Sequence, residues 1–204
     1  GCTRYRIDLD ISCPRSSPLK LNADSGFTTV SALGGPIAIE QGKGSVTLEQ
    51  CKRDAEELLV AMREGDVTVT DCAGPLTAST QQGSIKTLGV TGKQVLTAFR
   101  GRTTVELPKG ELELRCVGGD AIVLAYDGVQ GDYKVSVEQG DLTILVPDSA
   151  DATLFVTAAN GQVNSSKVQL NGSIQGERRE FTGMLGAGKY RVDLGVTGGN
   201  INID

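Results

Sequence analysis

Residues 133–146 read YKVSVEQGDLTILV, and this pattern organises the whole chain. Apolar residues alternate with polar ones on both sides of Gly140: Tyr133, Val135, Val137, Leu142 and Ile144. Period-two alternation is typical of a strand with one buried face, and glycine permits a sharp turn of the backbone. The segment therefore predicts two short strands that meet at a glycine corner.

The same pattern recurs along the chain, each time around a corner glycine. These glycines are Gly26, Gly44, Gly65, Gly83, Gly101, Gly119, Gly140, Gly161 and Gly199. They lie 18 or 21 residues apart, except for the final interval of 38, which fits two turns of 19 residues. A second glycine follows nine residues later in five units: Gly35, Gly74, Gly92, Gly110 and Gly128. A period near 20 residues with two strands per unit predicts a solenoid, because one unit cannot bury its apolar face alone.

We therefore predict an all-β protein, a single β-solenoid domain over residues 1–204. Its coils contain about 18–21 residues and two glycine corners each. The resulting β-helix is expected to be right-handed, because parallel crossover connections nearly always are.

Two segments conflict with the simple repeat. Residues 52–64 have a helix-forming composition, yet their apolar residues fall on the strand columns. We predict strand over 58–63 and at most a helical turn over 52–57. Residues 165–189 break the pattern and are expected to form longer loops on otherwise paired strands, and such loops are places where function often lies. A decayed repeat is the alternative explanation.

The composition excludes several classes of function. The chain has no histidine, which removes the commonest general base and the imidazole metal ligands. Its net charge of -5 argues against nucleic acid as a partner. No apolar run reaches the roughly 18–20 residues of a membrane-spanning helix. We expect no catalytic residues, no cofactor and no metal ion.

The cysteines suggest two modifications. Cys51 and Cys72 each lie seven residues after a corner glycine in adjacent coils, which stack at a spacing of about 4.8 Å. That spacing allows a disulfide between them, but parallel stacked side chains would strain its torsion, so two buried free thiols are the favoured interpretation. Cys116 falls on a core column. Cys2 is a candidate for the lipid-bearing cysteine of an exported protein.

Two polar columns are candidate sites with simpler explanations. Asp66, Asp120 and Asp141 each follow a corner glycine, but the GGxGxD motif of calcium-binding solenoids is missing. We therefore predict turn residues that hydrogen-bond their own backbone. A column of outward threonines could bind ice or a polysaccharide, or be solvated β-branched surface. Its members are Thr29, Thr47, Thr68, Thr104 and Thr143.

Two segments resemble a known family. Residues 148–163, DSADATLFVTAANGQV, and residues 186–203, GAGKYRVDLGVTGGNINI, are similar to the bacterial adhesin-like family called domain of unknown function 4097 (DUF4097). The resemblance extends from about Leu19 to Ile203 and rests on alternation plus glycine. It implies a β-solenoid of the bacterial cell envelope or the extracellular space, with adhesion as the nominal function and no catalytic residues.

The favoured hypothesis is a non-enzymatic envelope or surface protein, an adhesin-like binding scaffold for a protein or glycan ligand. A structural spacer or assembly module that pairs through its open end strands is one alternative. A polysaccharide-acting solenoid enzyme is another. Its candidate residues are Asp127, Asp132, Arg178 and Arg179, which the repeat does not bring together.

Overall fold

The computed structural model describes residues 10–51 and 57–204, which form seventeen β-strands in one sheet and no helix. The first three strands each contain 13 residues: β1 (Leu19–Ser31), β2 (Ile37–Glu49) and β3 (Leu58–Thr70). The next coils divide at the corner into strand pairs: β4 (Leu76–Gln82) with β5 (Ile85–Leu88), β6 (Gln94–Ala98) with β7 (Thr103–Glu106), and β8 (Leu112–Val117) with β9 (Ala121–Leu124). The strand predicted over 58–63 is confirmed, and residues 52–56 lie outside the described part of the chain.

The C-terminal part contains both further coils and a hairpin. Its strands are β10 (Tyr133–Glu138), β11 (Leu142–Leu145), β12 (Ala152–Ala159), β13 (Val163–Ser165), β14 (Asn171–Gln175), β15 (Arg178–Leu185), β16 (Tyr190–Thr197) and β17 (Ile201–Ile203). We call the strand or strand pair of one coil a layer.

Neighbouring layers pair in parallel, residue on equivalent residue. Val135 lies opposite Leu114 on one side and Leu194 on the other. All three side chains are buried, as are the equivalent inward positions of the other inner layers. These columns form one apolar core that runs the length of the stack. The predicted β-solenoid is therefore confirmed.

The corner requires glycine because successive backbones approach closely there. Gly65 has a φ of 137°, a conformation that residues with side chains rarely adopt. A Cβ atom at this position would also collide with the carbonyl oxygen of Gly44 in the layer below. The corner glycines of the sequence pattern are thus contact points between layers as well as turns.

The layers do not follow the order of the chain at the C-terminal end. Leu194 of β16 lies between Val135 of β10 and Val156 of β12. The layer β16–β17 is therefore inserted between β10–β11 and β12–β13. The interval of 38 residues from Gly161 to Gly199 separates two adjacent layers, so the two turns predicted from its length were wrong.

Residues 165–189 leave the stack as an antiparallel hairpin, so the paired strands expected there are present but run antiparallel to their neighbours. β15 pairs antiparallel with β12, and β14 pairs antiparallel with β15. At Gly183 an added Cβ atom would lie 2.7 Å from Val168 and 2.8 Å from Leu170. Leu170 and Phe181 also pack against the core. The hairpin thus closes this end of the core, as terminal units do in repeat proteins.

The buried side chain of Tyr133, at the start of β10, makes the stability of the folded protein depend on pH. Its side chain is 1% exposed, and burial raises the pKa of its hydroxyl from 10.0 to about 12. The unfolded chain therefore ionises first as the pH rises. The favourable contribution of Tyr133 is intact below pH 10.0 and is lost between pH 10.0 and about 12.

We expect Tyr133→Phe to reduce the loss of stability in this alkaline interval by roughly 2 kcal/mol, since one pKa unit corresponds to about 1.4 kcal/mol. Urea unfolding at a series of alkaline pH values measures the slope for both proteins. Tyr126→Phe is the matched control, because Tyr126 is 56% exposed. Equal slopes for the wild type and Tyr133→Phe would contradict the prediction.

Candidate functional site

The hairpin departs from the regular surface of the stack. A groove of about 440 Å³ lies between β12, β14 and β15. Strand register places Phe155, Thr182 and Asn171 in one row across it, and Thr157, Glu180 and Ser173 in the next. Residues directly opposite in antiparallel strands share a face. The groove therefore combines an aromatic ring with amide, hydroxyl and carboxylate groups.

Phe155 is held beside a fixed charge pair. The guanidinium carbon of Arg191 lies 4.2 Å from the centroid of its ring. The Nε and NH2 groups of Arg191 donate to the two carboxylate oxygens of Asp193 at 2.8 and 2.9 Å. The hydrogen bond with Asp193 raises the pKa of Arg191, whose guanidinium is protonated at neutral pH in any case. A polar ligand would meet an oriented cation, an anion and a ring at this place.

The hairpin also exposes apolar side chains and a strand edge. Ile174 of β14 is 62% exposed and Met184 of β15 is 65% exposed. Within the described residues, β14 pairs only with β15, so its outer backbone groups face solvent. An open strand edge can accept a further extended chain. The irregular segment thus provides a groove and an adjoining edge.

The sequence located part of this site and missed the rest. The break over 165–189 marked the hairpin as a place for function. Phe155 and Arg191 gave no signal, because they are far apart in sequence and read as outward positions of ordinary repeat strands. Only the insertion of β16 beside β12 brings them together.

Cys51 and Cys72 lie as the sequence placed them, in neighbouring layers. Both thiols are free and buried. The backbone N–H of Cys51 donates to the Cys72 sulfur at 3.3 Å. Hydrogen bonding to Cys72 lowers the pKa of Cys51, whereas that bond and burial raise the pKa of Cys72. A disulfide between them stays a prediction.

The other cysteines are divided between core and terminus. Cys116 is buried in its predicted column, and burial raises its pKa. Cys2, the candidate for lipidation, lies outside the described residues. Its modification stays a prediction.

The corner aspartates connect layers. Asp66 accepts a hydrogen bond from the backbone N–H of Ser84 at 2.8 Å, and Asp141 accepts one from that of Asn200 at 2.7 Å. Asp120 accepts from the N–H of Asp141 at 3.1 Å. The expectation that they bond their own backbone was wrong, since each bonds the adjacent layer. Across residues 10–51 and 57–204, no cluster of acidic or cysteine side chains is arranged to hold a metal ion.

The outward threonine column exists but is interrupted. Thr29, Thr47 and Thr68 lie opposite one another in β1, β2 and β3. Lys86 takes the next position and forms a 3.0 Å salt bridge with Glu106. A continuous flat threonine array is therefore not formed.

The residues considered for an enzyme are far apart. Asp132 accepts a hydrogen bond from the backbone N–H of Arg191, which lies opposite Thr153 at one end of β12. Arg178 lies opposite Ala159, six residues further along that strand, or about 20 Å at 3.3 Å per residue.

Local partners occupy both arginines of this candidate set. Arg178 pairs with Glu180 at 2.6 Å, and Arg179 donates to the carbonyl oxygen of Gly161. Asp127 is exposed in the segment before β10. The structure does not bring the four residues into one site.

Comparison with known proteins gives a family and no individual relative. Within the described residues, no helix is long and apolar enough to cross a membrane. No curated protein and no solved structure matches the chain. A family model described as Toastrack DUF4097 matches residues 8–204, which is nearly the entire chain and agrees with the stacked strands described above. The protein is therefore a member of the Toastrack DUF4097 family.

Proposed function

We propose that the protein is a non-enzymatic scaffold of the cell envelope or cell surface that binds an extended protein or glycan ligand at its C-terminal hairpin. The observation that carries this proposal is the groove beside Phe155, which adjoins the open edge of β14. The envelope location comes from the resemblance to adhesin-like proteins.

The regular faces of the stack are less suited to this role. Their charges are paired between layers, as in Arg115 with Glu138 at 2.9 Å and Lys43 with Glu64 at 2.8 Å. Exposed pairs of this kind contribute about 0–1 kcal/mol each, because water screens both charges. The hairpin differs because it offers apolar, aromatic and backbone groups together.

Two ligand chemistries fit the hairpin. An extended peptide would add a strand to β14 and place alternate side chains toward the groove. A glycan would contact the Phe155 ring and hydrogen-bond to Asn171, Ser173 and Glu180, all of which line the groove. The wide spacing of Asp132 and Arg178 supports a binding role over polysaccharide cleavage.

Binding to a glycan array and to a cell-envelope extract tests the proposal. We expect Phe155→Ser and Ile174→Ser to reduce retention of the bound ligand at least about tenfold, which corresponds to about 1.4 kcal/mol. Tyr126→Ser is the matched control, because Tyr126 is as exposed as Ile174 but lies away from the hairpin.

Melting curves of all three variants separate a lost contact from a lost fold. Equal retention by the two hairpin variants and the wild type would contradict a hairpin site. Conversion of a glycan to shorter products would contradict the non-enzymatic assignment.

A further inference from the structure

The two ends of the stack are built differently. The C-terminal end is closed by the antiparallel hairpin, whose outer strand β14 is exposed along its whole length. At the N-terminal end, β1 pairs with β2, and no other described strand pairs with it. One edge of a 13-residue strand is therefore open within the described structure.

This open edge leaves the end of the core partly uncovered. Leu19, Leu21 and Val30 point inward and pack on the core, but they are only half-buried. Their neighbours in the next layer, Ile37, Ile39 and Leu48, are exposed by 1% or less. Within the described residues, the apolar columns thus end at β1, where their side chains are partly exposed.

We propose that β1 is a homodimer interface, at which two copies join end to end through antiparallel pairing of their β1 strands about a two-fold axis. A strand with an open edge and unprotected apolar residues favours pairing with another strand. Both copies use the same β1 edge in this pairing, so the edge of each copy is occupied once the dimer has formed. Association then ends at two copies, as a two-fold interface requires, and does not continue as a filament.

The bend in β1 fixes how the two strands meet. The strand turns at Gly26, which has a φ of 148° and divides it into two arms, residues 19–24 and 27–31. Antiparallel pairing with superposed corners places the first arm of one copy beside the second arm of the other. The two-fold axis then passes through the corner.

In this arrangement, the inward-facing residues of one copy lie opposite the inward-facing residues of the other. Inward positions are odd-numbered in the first arm and even-numbered in the second, as their partners in β2 show. The register that superposes the two corners pairs residues whose numbers add up to 51. In this register, Leu21 lies opposite Val30 of the partner subunit and Ala23 lies opposite Thr28 of the partner subunit. Side chains directly opposite in an antiparallel pair are in contact, so the two uncovered core ends close on each other.

The outward positions are compatible with the same register. Lys20 lies opposite Ser31 of the partner subunit, and Asp24 lies opposite Phe27 of the partner subunit. No like charges meet, and Phe27, which is 89% exposed, gains a neighbour. Natural edge strands are often protected by proline or by inward charge. Residues 19–31 contain no proline and no inward charge.

A variant at Asn22 separates pairing from folding. The N–H of Leu19 donates to the Pro36 oxygen in the second coil, and backbone groups of successive residues point to opposite edges. The N–H of Asn22 therefore points to the open edge. Asn22→Pro removes this donor without removing a hydrogen bond to β2, since proline is tolerated on edge strands. Asn22→Ala is the matched control, and Leu21→Lys is a second variant that places a charge at the interface.

Sedimentation of the full chain over a dilution series tests the proposal. We expect twice the monomer mass for the wild type and Asn22→Ala. We expect at least about a tenfold higher dissociation constant for Asn22→Pro and Leu21→Lys, with unchanged melting of the monomer. Slow hydrogen exchange of β1 amides that becomes fast on dilution would support the dimer. A monomer at every concentration would overturn the proposal. If the β1 amides of that monomer were protected as well, another part of the chain would cover the edge. A mass that keeps rising with concentration would overturn the closed two-fold arrangement.

Discussion

Replacing Val135 by aspartate is expected to lower the melting temperature by on the order of 10 °C, the largest effect we expect from a single substitution. Val135 is 1% exposed and lies in the core column between Leu114 and Leu194. A buried charge without a partner costs several kcal/mol, and in a protein of this size each kcal/mol lowers the melting temperature by about 2–4 °C.

The matched control for this substitution is Ser136→Asp, which introduces the same charge one residue further along. Ser136 points outward and lies opposite Arg115 of β8. We therefore expect little change in its melting temperature, because an exposed charge pair contributes about 0–1 kcal/mol. Thermal melts followed by circular dichroism compare the two variants. Equal melting temperatures would show that the alternation of β10 is not the one described here.

Deletion of residues 190–204 is expected to unfold the C-terminal half of the stack. This segment follows the hairpin in sequence, yet it forms an inner layer between β10–β11 and β12–β13. The deletion removes five buried aliphatic side chains: Val192, Leu194, Val196, Ile201 and Ile203. Each contributes about 1.5–3 kcal/mol, and their sum is comparable with the roughly 5–15 kcal/mol of a whole domain.

Hydrogen exchange measures this effect strand by strand. We expect the amides of β12 and β15 to lose protection in the deletion variant, because β12 pairs on one side with β16 and on the other with β15. The amides of β2, far along the stack, are the internal control. Retained protection of β12 would mean that β16 lies at an end of the stack, in contradiction to the register.

The candidate site was only partly predictable. The break in the repeat over 165–189 identified the hairpin, because loss of alternation is visible in the sequence itself. The groove depends on pairs such as Phe155 with Thr182, which are set by antiparallel register. The contact of Arg191 with Phe155 depends on the placement of a whole layer. Neither the strand pairing nor the contact produces a pattern that can be seen in the local sequence.

The role of the corner aspartates was also only partly predictable from the sequence. An aspartate after a glycine correctly indicated a turn position. The carboxylates of Asp66 and Asp141 nevertheless accept from backbone N–H groups of the adjacent layer, at 2.8 and 2.7 Å. A single sequence shows that an aspartate can accept a hydrogen bond, but it does not show which N–H group donates that bond.

Alternation and corner glycines were enough to establish the period, the inward columns and the solenoid, because these features are set by each residue and its nearest neighbours. The order of the layers required the folded structure. Every layer has nearly the same alternation, and the edge of a parallel strand accepts any strand of matching length and face. The sequence could not distinguish β12 from β16 as the neighbour of β10. The connection over residues 165–189 made the difference, because its strand β15 pairs antiparallel with β12 and the chain then returns as β16 beside β10.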